Sequence, residues 1–368
     1  MANLSNWIGI DDHADKWSIA HYEGQKNAPS REWELQPGDS GYRKLIGWLK
    51  ELKGPVRVAY EAGPCGYELY RRLRKSGIEC AVAAPSLTPR KPGDRVKTNR
   101  RDAQKLARLL RAGELTLITV PDARQEAVRD LIRAREAANK DLLRARHQLS
   151  KLLLRYGYRY QQGRAWTKRY WEWVNQVQLS EECSRVVVHQ QIVVIEQRLE
   201  VVAEYDRHIE KIGQSAQYAP MVAALSVLRG VDRLTAMTIA AELGDLRRFA
   251  TAPQLMAALG LVPSEYSTGD KTMRMAITKT GNAHVRRVLV EAAWHYQRFA
   301  NRTGPTVRRR RAGQPRESVA IAERCDARLH RRFIRLTSRG KRSTVAAVAV
   351  ARELAGFIWA IGQDIHQR

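Results

Sequence analysis

The chain has 368 residues, 44% of them hydrophobic and 28% charged, which excludes a disordered polymer and leaves room for two or three cored domains of roughly 150 residues each. Its 64 Lys and Arg against 38 Asp and Glu leave a net charge of +26, an excess that favours a polyanionic partner: nucleic acid or an anionic membrane surface. The four cysteines are scattered and no G-x-x-x-x-G-K-[ST] loop occurs, so neither a zinc site nor a disulfide framework is suggested and an ATP-driven motor is argued against.

Taken in order, residues 7–11, 16–21 and 31–35 read as three short strands joined by polar turns. A helix is predicted over 41–52, with Leu45, Trp48, Leu49 and Leu52 on one side, then a strand over 57–61, a helix over 67–75, a strand over 80–84 and a helix over 98–112. Three strands followed by alternating helices and strands describe an α/β domain with a mixed sheet. Asp11 ends the first strand and Glu61 the fourth. Asn99 and Asp102 are three residues apart in the first turn of the last helix and so share a face. Residues 90–101 hold six Arg or Lys, among them Arg95, Lys97, Arg100 and Arg101, against the single acid Asp94. Acids from two strand ends and a helix, meeting where phosphate is attracted, form an all-oxygen site suited to Mg²⁺. Asn99 with Asp102 equally has the pattern of a helix N-cap with an acid in the first turn.

Apolar residues then recur at 128, 131, 138, 142, 149 and 152, the seam of a long helix. A second periodic stretch covers 182–212, with Ile192, Ile195, Leu199 and Val202. The pair makes either an antiparallel hairpin or a dimer-forming coiled coil. Between them Trp166 and six neighbouring Tyr and Trp alternate with cations. That segment either stacks on bases or closes the hairpin tip as an aromatic cluster.

Residues 225–300 read as a compact helical domain. Leu228-Arg229-Gly230-Val231-Asp232 resembles the turn of a helix-hairpin-helix, whose glycine lets backbone amides approach a phosphate. The loop from Gly260 to Gly269 carries Ser267 and Thr268, and Ile277-Thr278-Lys279-Thr280-Gly281-Asn282 leads into a helix near 283. Lys279, Arg286 and Arg287 are close in sequence, so the segment either presents a hydroxyl nucleophile beside phosphate-binding cations or is an ordinary, inert turn with Ser and Thr in it. Residues 302–342 carry fourteen Arg or Lys, including Arg308, Arg309, Arg310 and Arg311, and read as a flexible phosphate-binding tract. The most apolar late stretch, 345–362, is interrupted by Arg352 and Glu353, and the first residues lack the apolar core of a signal peptide. No membrane partner and a cytoplasmic location are therefore expected.

Asp11 in Ile8-Gly9-Ile10-Asp11, Glu61 in Tyr60-Glu61-Ala62, Lys97-Thr98-Asn99-Arg100-Arg101-Asp102-Ala103, then Gly260-Leu261-Val262-Pro263 and Ile277-Thr278-Lys279-Thr280-Gly281-Asn282 occur in one order. Together they resemble the DEDD insertion-sequence transposases of the IS-one-ten type, with its IS-eleven-eleven subgroup, also called bridge recombinases. The resemblance covers residues 7–120 and 225–300 closely and the remainder in character. It implies an RNase H-like (RuvC-like) α/β domain over 1–120, a helical coiled-coil linker over 121–217 and an α-helical transposase domain over 218–368.

It also implies a Mg²⁺ site at Asp11, Glu61 and Asp102, with Asn99 where the pattern has its third acid. A noncoding bridge RNA would pair with donor and target double-stranded DNA, and strand exchange would pass through a covalent phosphoserine in a bacterial, nucleoid-associated dimer or tetramer. Where the pattern places its serine directly before Gly, this chain has Thr268, with Ser267 one residue earlier. The alternatives are a catalytically silent nucleic-acid-binding relative and a RuvC-like metal-dependent junction nuclease.

Overall fold

The structure, a computed structural model, describes residues 5–89, 98–268, 271–298 and 303–365. The chain divides into two compact units, Met1–Pro121 and Asp122–Arg368.

In the first unit the order is β1 (Asn6–Asp12), β2 (Trp17–Glu23), β3 (Arg31–Leu35), α1 (Asp39–Glu51), β4 (Val56–Glu61), α2 (Glu68–Lys75), β5 (Glu79–Ala83) and α3 (Asn99–Ala112). The strands form one sheet in the order β3-β2-β1-β4-β5. The first three pair antiparallel, whereas β1, β4 and β5 run parallel, so the sheet is mixed, as the element order predicts. Alternation along β1 divides its residues between two layers. Ile8 and Ile10 join Val58, Tyr60, Leu45, Leu49, Leu69 and Leu73 in a core under α1 and α2. On the opposite face Trp7 packs with Ala20, Tyr22, Ala103 and Ala107 beneath α3.

Gly9 lies on that second face, and α3 rests almost directly on its backbone. A Cβ at Gly9 would stand 2.0 Å from the Ala103 carbonyl oxygen and 2.5 Å from the Ala107 nitrogen. Neither atom can yield without moving the helix. Gly9→Ala is therefore expected to destabilise the first unit by about 1–3 kcal/mol. The check is the denaturation midpoint at unchanged slope, and an unshifted midpoint would show that α3 is not pinned there.

The second unit opens with α4 (Ala123–Arg155), α5 (Lys168–Asn175) and α6 (Glu182–Gly213). Helices α4 and α6 pack on one another within the chain. Arg135 pairs with Asp206 at 2.9 Å and Arg198 with Asp141 at 3.5 Å, so partners run in opposite order and the two helices are antiparallel. Val188, Ile195, Val202 and Ile209 form the buried stripe of α6, a spacing of sevens that keeps one seam facing its partner. The aromatic segment closes the far end. Tyr170 is buried in α5, and Tyr160, Trp166 and Trp173 surround it at centroid distances of 5.1, 4.7 and 5.5 Å.

There follow α7 (Ala219–Leu225), α8 (Arg233–Leu243), α9 (Ala252–Ala258), β6 (Pro263–Thr268), β7 (Lys271–Ile277), α10 (Ala283–Ala293), α11 (Pro305–Arg311), α12 (Arg316–Ser338) and α13 (Ser343–Ile365). By length and composition α13 is apolar enough to cross a membrane, with a mean hydropathy of 1.6. Its apolarity has another cause: Ala346, Ala347, Val350, Leu354, Ile358 and Ile361 are all buried in the core of this unit, where it packs against α7, α9, α10 and α12.

Two expectations are corrected here. Residues 305–338 are largely helical rather than a flexible tract, because α12 carries its own apolar stripe through Ile321, Ala322, Cys325, Leu329 and Phe333. The segment after Gly260 is a two-stranded hairpin rather than a loop.

Candidate active site

Strand register explains how the acids of the first unit come together. Ile10 pairs with Tyr60 in the parallel β1–β4 ladder, so the next residues, Asp11 and Glu61, come level at the C-terminal ends of adjacent strands. Both are in phase with Gly9 and Ala59, on the face that α3 covers. Helix α3 runs opposite to β1: Gln104 near its start bonds Glu32, whose strand partner Ala20 pairs with Gly9, and Arg111 near its end lies over the Tyr22 ring at 5.6 Å. Its first turn, with Asn99 and Asp102, therefore ends at the strand tips.

Asp11, Glu61, Asn99 and Asp102 are all partly exposed, which leaves this corner open to solvent. The His13 imidazole stands 3.2 Å from Asp11 Oδ2. Thr98 is the N-cap of α3, its hydroxyl accepting from the Arg101 amide at 3.3 Å. The capping role that sequence offered to Asn99 thus belongs to its neighbour, and Asn99 is the first helical residue. Among the described residues no three His, Cys, Asp or Glu stand close enough together to hold an ion as they lie. The donor chemistry nonetheless fits a divalent cation: three carboxylates and an amide carbonyl from Asn99 are hard oxygen donors of the kind Mg²⁺ takes. Arg100 ion-pairs with Glu32, which also accepts from Gln104 and anchors the start of α3. Arg95 and Lys97 lie outside the described residues.

Ser267 and Thr268 are the last two residues of β6, opposite Thr272 and Lys271. The sequence signal for this hairpin was present: two runs of strand-forming residues flank the dipeptide Gly-Asp at 269–270, a pair of residue types common between hairpin strands. The base of the hairpin is built by close backbone contact. Thr278 N donates to Val262 O at 2.9 Å, and a Cβ at Gly260 or Gly281 would meet a carbonyl oxygen at 2.2 or 1.9 Å. Lys279 turns the chain here with φ 57.

The expected cations belong to this base rather than to the tip. Arg286 Nη1 donates to the Leu259 and Thr280 carbonyls at 2.7 and 2.8 Å. Arg287 pairs with Glu136 at 3.1 Å and Glu291 at 2.9 Å. Five strand steps separate the hairpin base at Pro263 from Thr268, roughly 17 Å, and both arginines are engaged with the scaffold.

Other nominated residues are also engaged within the chain. Trp166 packs on Tyr170 and Trp171, with the Arg146 guanidinium 5.2 Å from its ring. Arg311 is buried and donates to Asp326 at 2.9 Å and to Val227 O at 3.0 Å. Arg310 bonds the Val231 carbonyl. Arg308 and Arg309 remain exposed on α11.

Sequence reasoning missed a buried polar network behind the hairpin base. Glu242 accepts from Arg133 at 2.7 and 2.9 Å and from Asn282 Nδ2 at 2.7 Å, while Asn282 Oδ1 caps α10 at Val285 N, 2.9 Å away. The signal was a single acid in the apolar run of α8, since a buried carboxylate requires partners. Nearby Glu136 accepts from Lys140, His284 and Arg287. Burial raises its pKa, but these donors outweigh burial and hold it down to about 2, from the ordinary 4.5.

A carboxylate whose folded pKa is depressed stabilises the protein above its unfolded pKa and loses that contribution as pH falls through the folded value. Glu136 is thus expected to contribute on the order of 3 kcal/mol near neutral pH, lost between about pH 4.5 and 2. Urea unfolding at about pH 5 and about pH 3 checks it: Glu136→Gln should flatten the difference. An equal acid sensitivity in both proteins would contradict the assignment.

A mixed sheet with acids at two strand ends and on the covering helix defines the first unit as an RNase H-like domain of the DEDD transposase type. Two family profiles agree: a DEDD transposase profile of the IS110 type matches residues 8–158, and the transposase IS116/IS110/IS902 family matches residues 222–310. Among curated proteins the chain is 45% identical to "Putative transposase y4qE" of Sinorhizobium fredii, over 98% of this chain and 89% of that one. It is 31% identical to "Transposase for insertion sequence element IS1533" of Leptospira borgpetersenii, over 91% and 98%, and 26% identical to "Transposase for insertion sequence element IS1111A" of Coxiella burnetii, over 64% of each. The chain belongs to the IS110 family of insertion-sequence transposases, enzymes that cut and join DNA.

Proposed function

We propose that this transposase is an RNA-guided DNA recombinase that joins the ends of its element to a target through a covalent protein–DNA intermediate. The observation that carries the reading is the register that brings Asp11, Glu61 and the first turn of α3 to one corner of an α/β domain, in a chain whose Ser267 and Thr268 end a hairpin strand inside the segment that the transposase profile matches. Asp11, Glu61 and Asp102, with the Asn99 carbonyl, would hold Mg²⁺, which supplies charge neutralisation at a scissile phosphate. The domain division follows the three parts at 1–120, 121–217 and 218–368, the middle part serving as a coiled-coil linker.

The hydroxyl of Ser267 or Thr268 attacks a DNA phosphorus and gives up its proton to solvent. The bond from that phosphorus to a deoxyribose oxygen breaks, and the freed oxygen takes a proton. One phosphodiester is exchanged for one phosphoester to protein, so rejoining needs no ATP, in keeping with the missing nucleotide loop. A noncoding bridge RNA encoded beside the gene selects donor and target DNA. Two duplexes each cut at one position call for a dimer or tetramer, acting at the bacterial nucleoid.

Asn99 in the third acid position supports a second reading, a silent relative that occupies element ends without cutting. The deciding experiment incubates the purified chain, Mg²⁺, donor and target duplexes with RNA transcribed from the DNA flanking its gene. Strand exchange and a denaturation-resistant adduct, both dependent on RNA that pairs with the DNA, are expected. Cutting without an adduct would favour the junction nuclease, and binding without cutting the silent relative.

A further inference from the structure

The turn Leu228-Arg229-Gly230-Val231-Asp232, which the catalytic reading leaves unused, forms one wall of a cleft of about 890 Å³ in the second unit. Gly230 has φ 76, and a Cβ on it would meet the Ala292 carbonyl oxygen at 2.5 Å, so the turn is pressed onto the end of α10. The opposite walls are the short helix Trp294–Gln297 and the start of α11. Arg229, Arg233, Arg298 and Arg310 line the cleft, and among the described residues that line it Asp232 is the only acid. Asp232 is committed to capping α8, its Oδ1 accepting from Thr235 N at 2.8 Å.

Beneath the floor, buried Asp326 faces two guanidiniums, Arg229 at 3.3 Å and Arg311 at 2.9 Å. One carboxylate between two arginines leaves the floor net positive. Arg233 is partly offset by Glu210 at 3.0 Å. The indole of Trp294 is 38% exposed and is backed by Phe333 at a centroid distance of 6.0 Å.

We propose that this cleft holds one unpaired nucleotide of a nucleic-acid strand, its phosphate among Arg229, Arg298 and Arg310 and its base stacked on Trp294. The proposal rests on the nucleic-acid partner of the preceding reading, and not on the acid corner or the hairpin hydroxyls. The volume lies in the range of small-ligand sites, roughly 300–1,000 Å³. An aromatic face set within a concave, cationic site suits a base that has left its stack, since a paired base has both faces covered by its neighbours. Binding by stacking is tolerant of base identity, and the phosphate contacts supply salt dependence. The strand can be DNA displaced at a cut site or an unpaired stretch of RNA, since both present the same phosphate and base.

The test measures affinity of the full chain for short single-stranded oligothymidine, oligouridine and a duplex of equal length. Trp294→Ala is expected to weaken single-strand binding roughly five- to a hundredfold, with Trp294→Phe restoring most of it and duplex affinity unchanged. Arg298→Gln is expected to lower the salt slope by about 0.7, whereas Lys151→Gln, an exposed cation outside the cleft, leaves single-strand binding intact. A loss confined to oligothymidine assigns the strand to DNA, and one confined to oligouridine assigns it to RNA.

Because Trp294→Ala also removes a contact with Phe333, the parent protein is probed directly by photocrosslinking to iodo-substituted oligothymidine and oligouridine. A crosslink within residues 294–298 is expected. No crosslink there with either, or equal losses of single-strand and duplex binding in Trp294→Ala, overturns the proposal. A chain that binds no nucleic acid at all would instead overturn the reading on which it rests.

Discussion

Glu61→Ala and Asp102→Ala are each expected to reduce strand exchange roughly a thousandfold, the loss of several kcal/mol of charge stabilisation that a metal ligand supplies, while lowering the unfolding free energy by no more than about 1 kcal/mol. The second half of that expectation comes from the register. Asp11 and Glu61 lie level on neighbouring strands at a partly exposed corner, so truncating an acid there opens no cavity in the core, and Asp102→Ala gives up a first-turn dipole contribution of about 0.3–1 kcal/mol. Asn99→Asp separates the roles of that position. Thr98 already caps α3, so the change removes no cap and adds an acid to the first turn, where the helix dipole favours it by about 0.3–1 kcal/mol. If the position faces the ion, Mg²⁺ affinity measured by calorimetry should also rise. An unchanged Mg²⁺ titration would place Asn99 outside the ligand set, and unchanged strand exchange in both alanine variants would remove the metal site from this corner.

The second large effect is expected at the hairpin tip: replacing both Ser267 and Thr268 with alanine should abolish the covalent adduct altogether. Adjacent positions of a strand belong to opposite faces, so a phosphate reaching one face of the hairpin meets only one of the two. The register assigns the faces. Position 268 shares its side with Tyr266 and Met273, both largely exposed, and with position 271, a lysine, whereas position 267 shares its side with the Glu265–Arg274 pair. Each face thus has a cation at one of its positions, and the chemistry of the hydroxyl separates the two. A primary hydroxyl attacks with less hindrance than that of a β-branched threonine. Ser267→Ala is therefore expected to lose the adduct on labelled DNA and Thr268→Ala to keep a reduced amount. The reverse pattern, with gain in Thr268→Ser, would assign the nucleophile to the position directly before Gly269. An adduct that survives the double change would place the nucleophile elsewhere in the chain.

What the sequence determined by itself is the first unit. Among the described residues its five strands and three α-helices lie within about two residues of where alternation and helical periodicity place them, because each spans few residues and buries one clear face. The acids were legible for the same reason: a strand that ends in a carboxylate does so visibly, and the motif order supplied the rest.

The second unit was decided by contacts between residues far apart in the chain. Whether the long helices pair within one chain depended on Arg135 meeting Asp206 and Arg198 meeting Asp141, which periodicity alone does not specify. The fate of each cation depended on burial. Arg308 and Arg309 stay exposed while Arg311, two positions on, is drawn inside by Asp326, a distinction invisible in a run of four identical residues. The apolar α13 gives the same signal whether its surroundings are lipid or protein, and only the helices packed around it settle which. Local pattern thus fixes an element and its apolar face. What that face meets, and whether a buried charge such as Glu242 finds its partners in Arg133 and Asn282, is a property of the folded chain, since desolvation and pairing act only once distant segments are brought together.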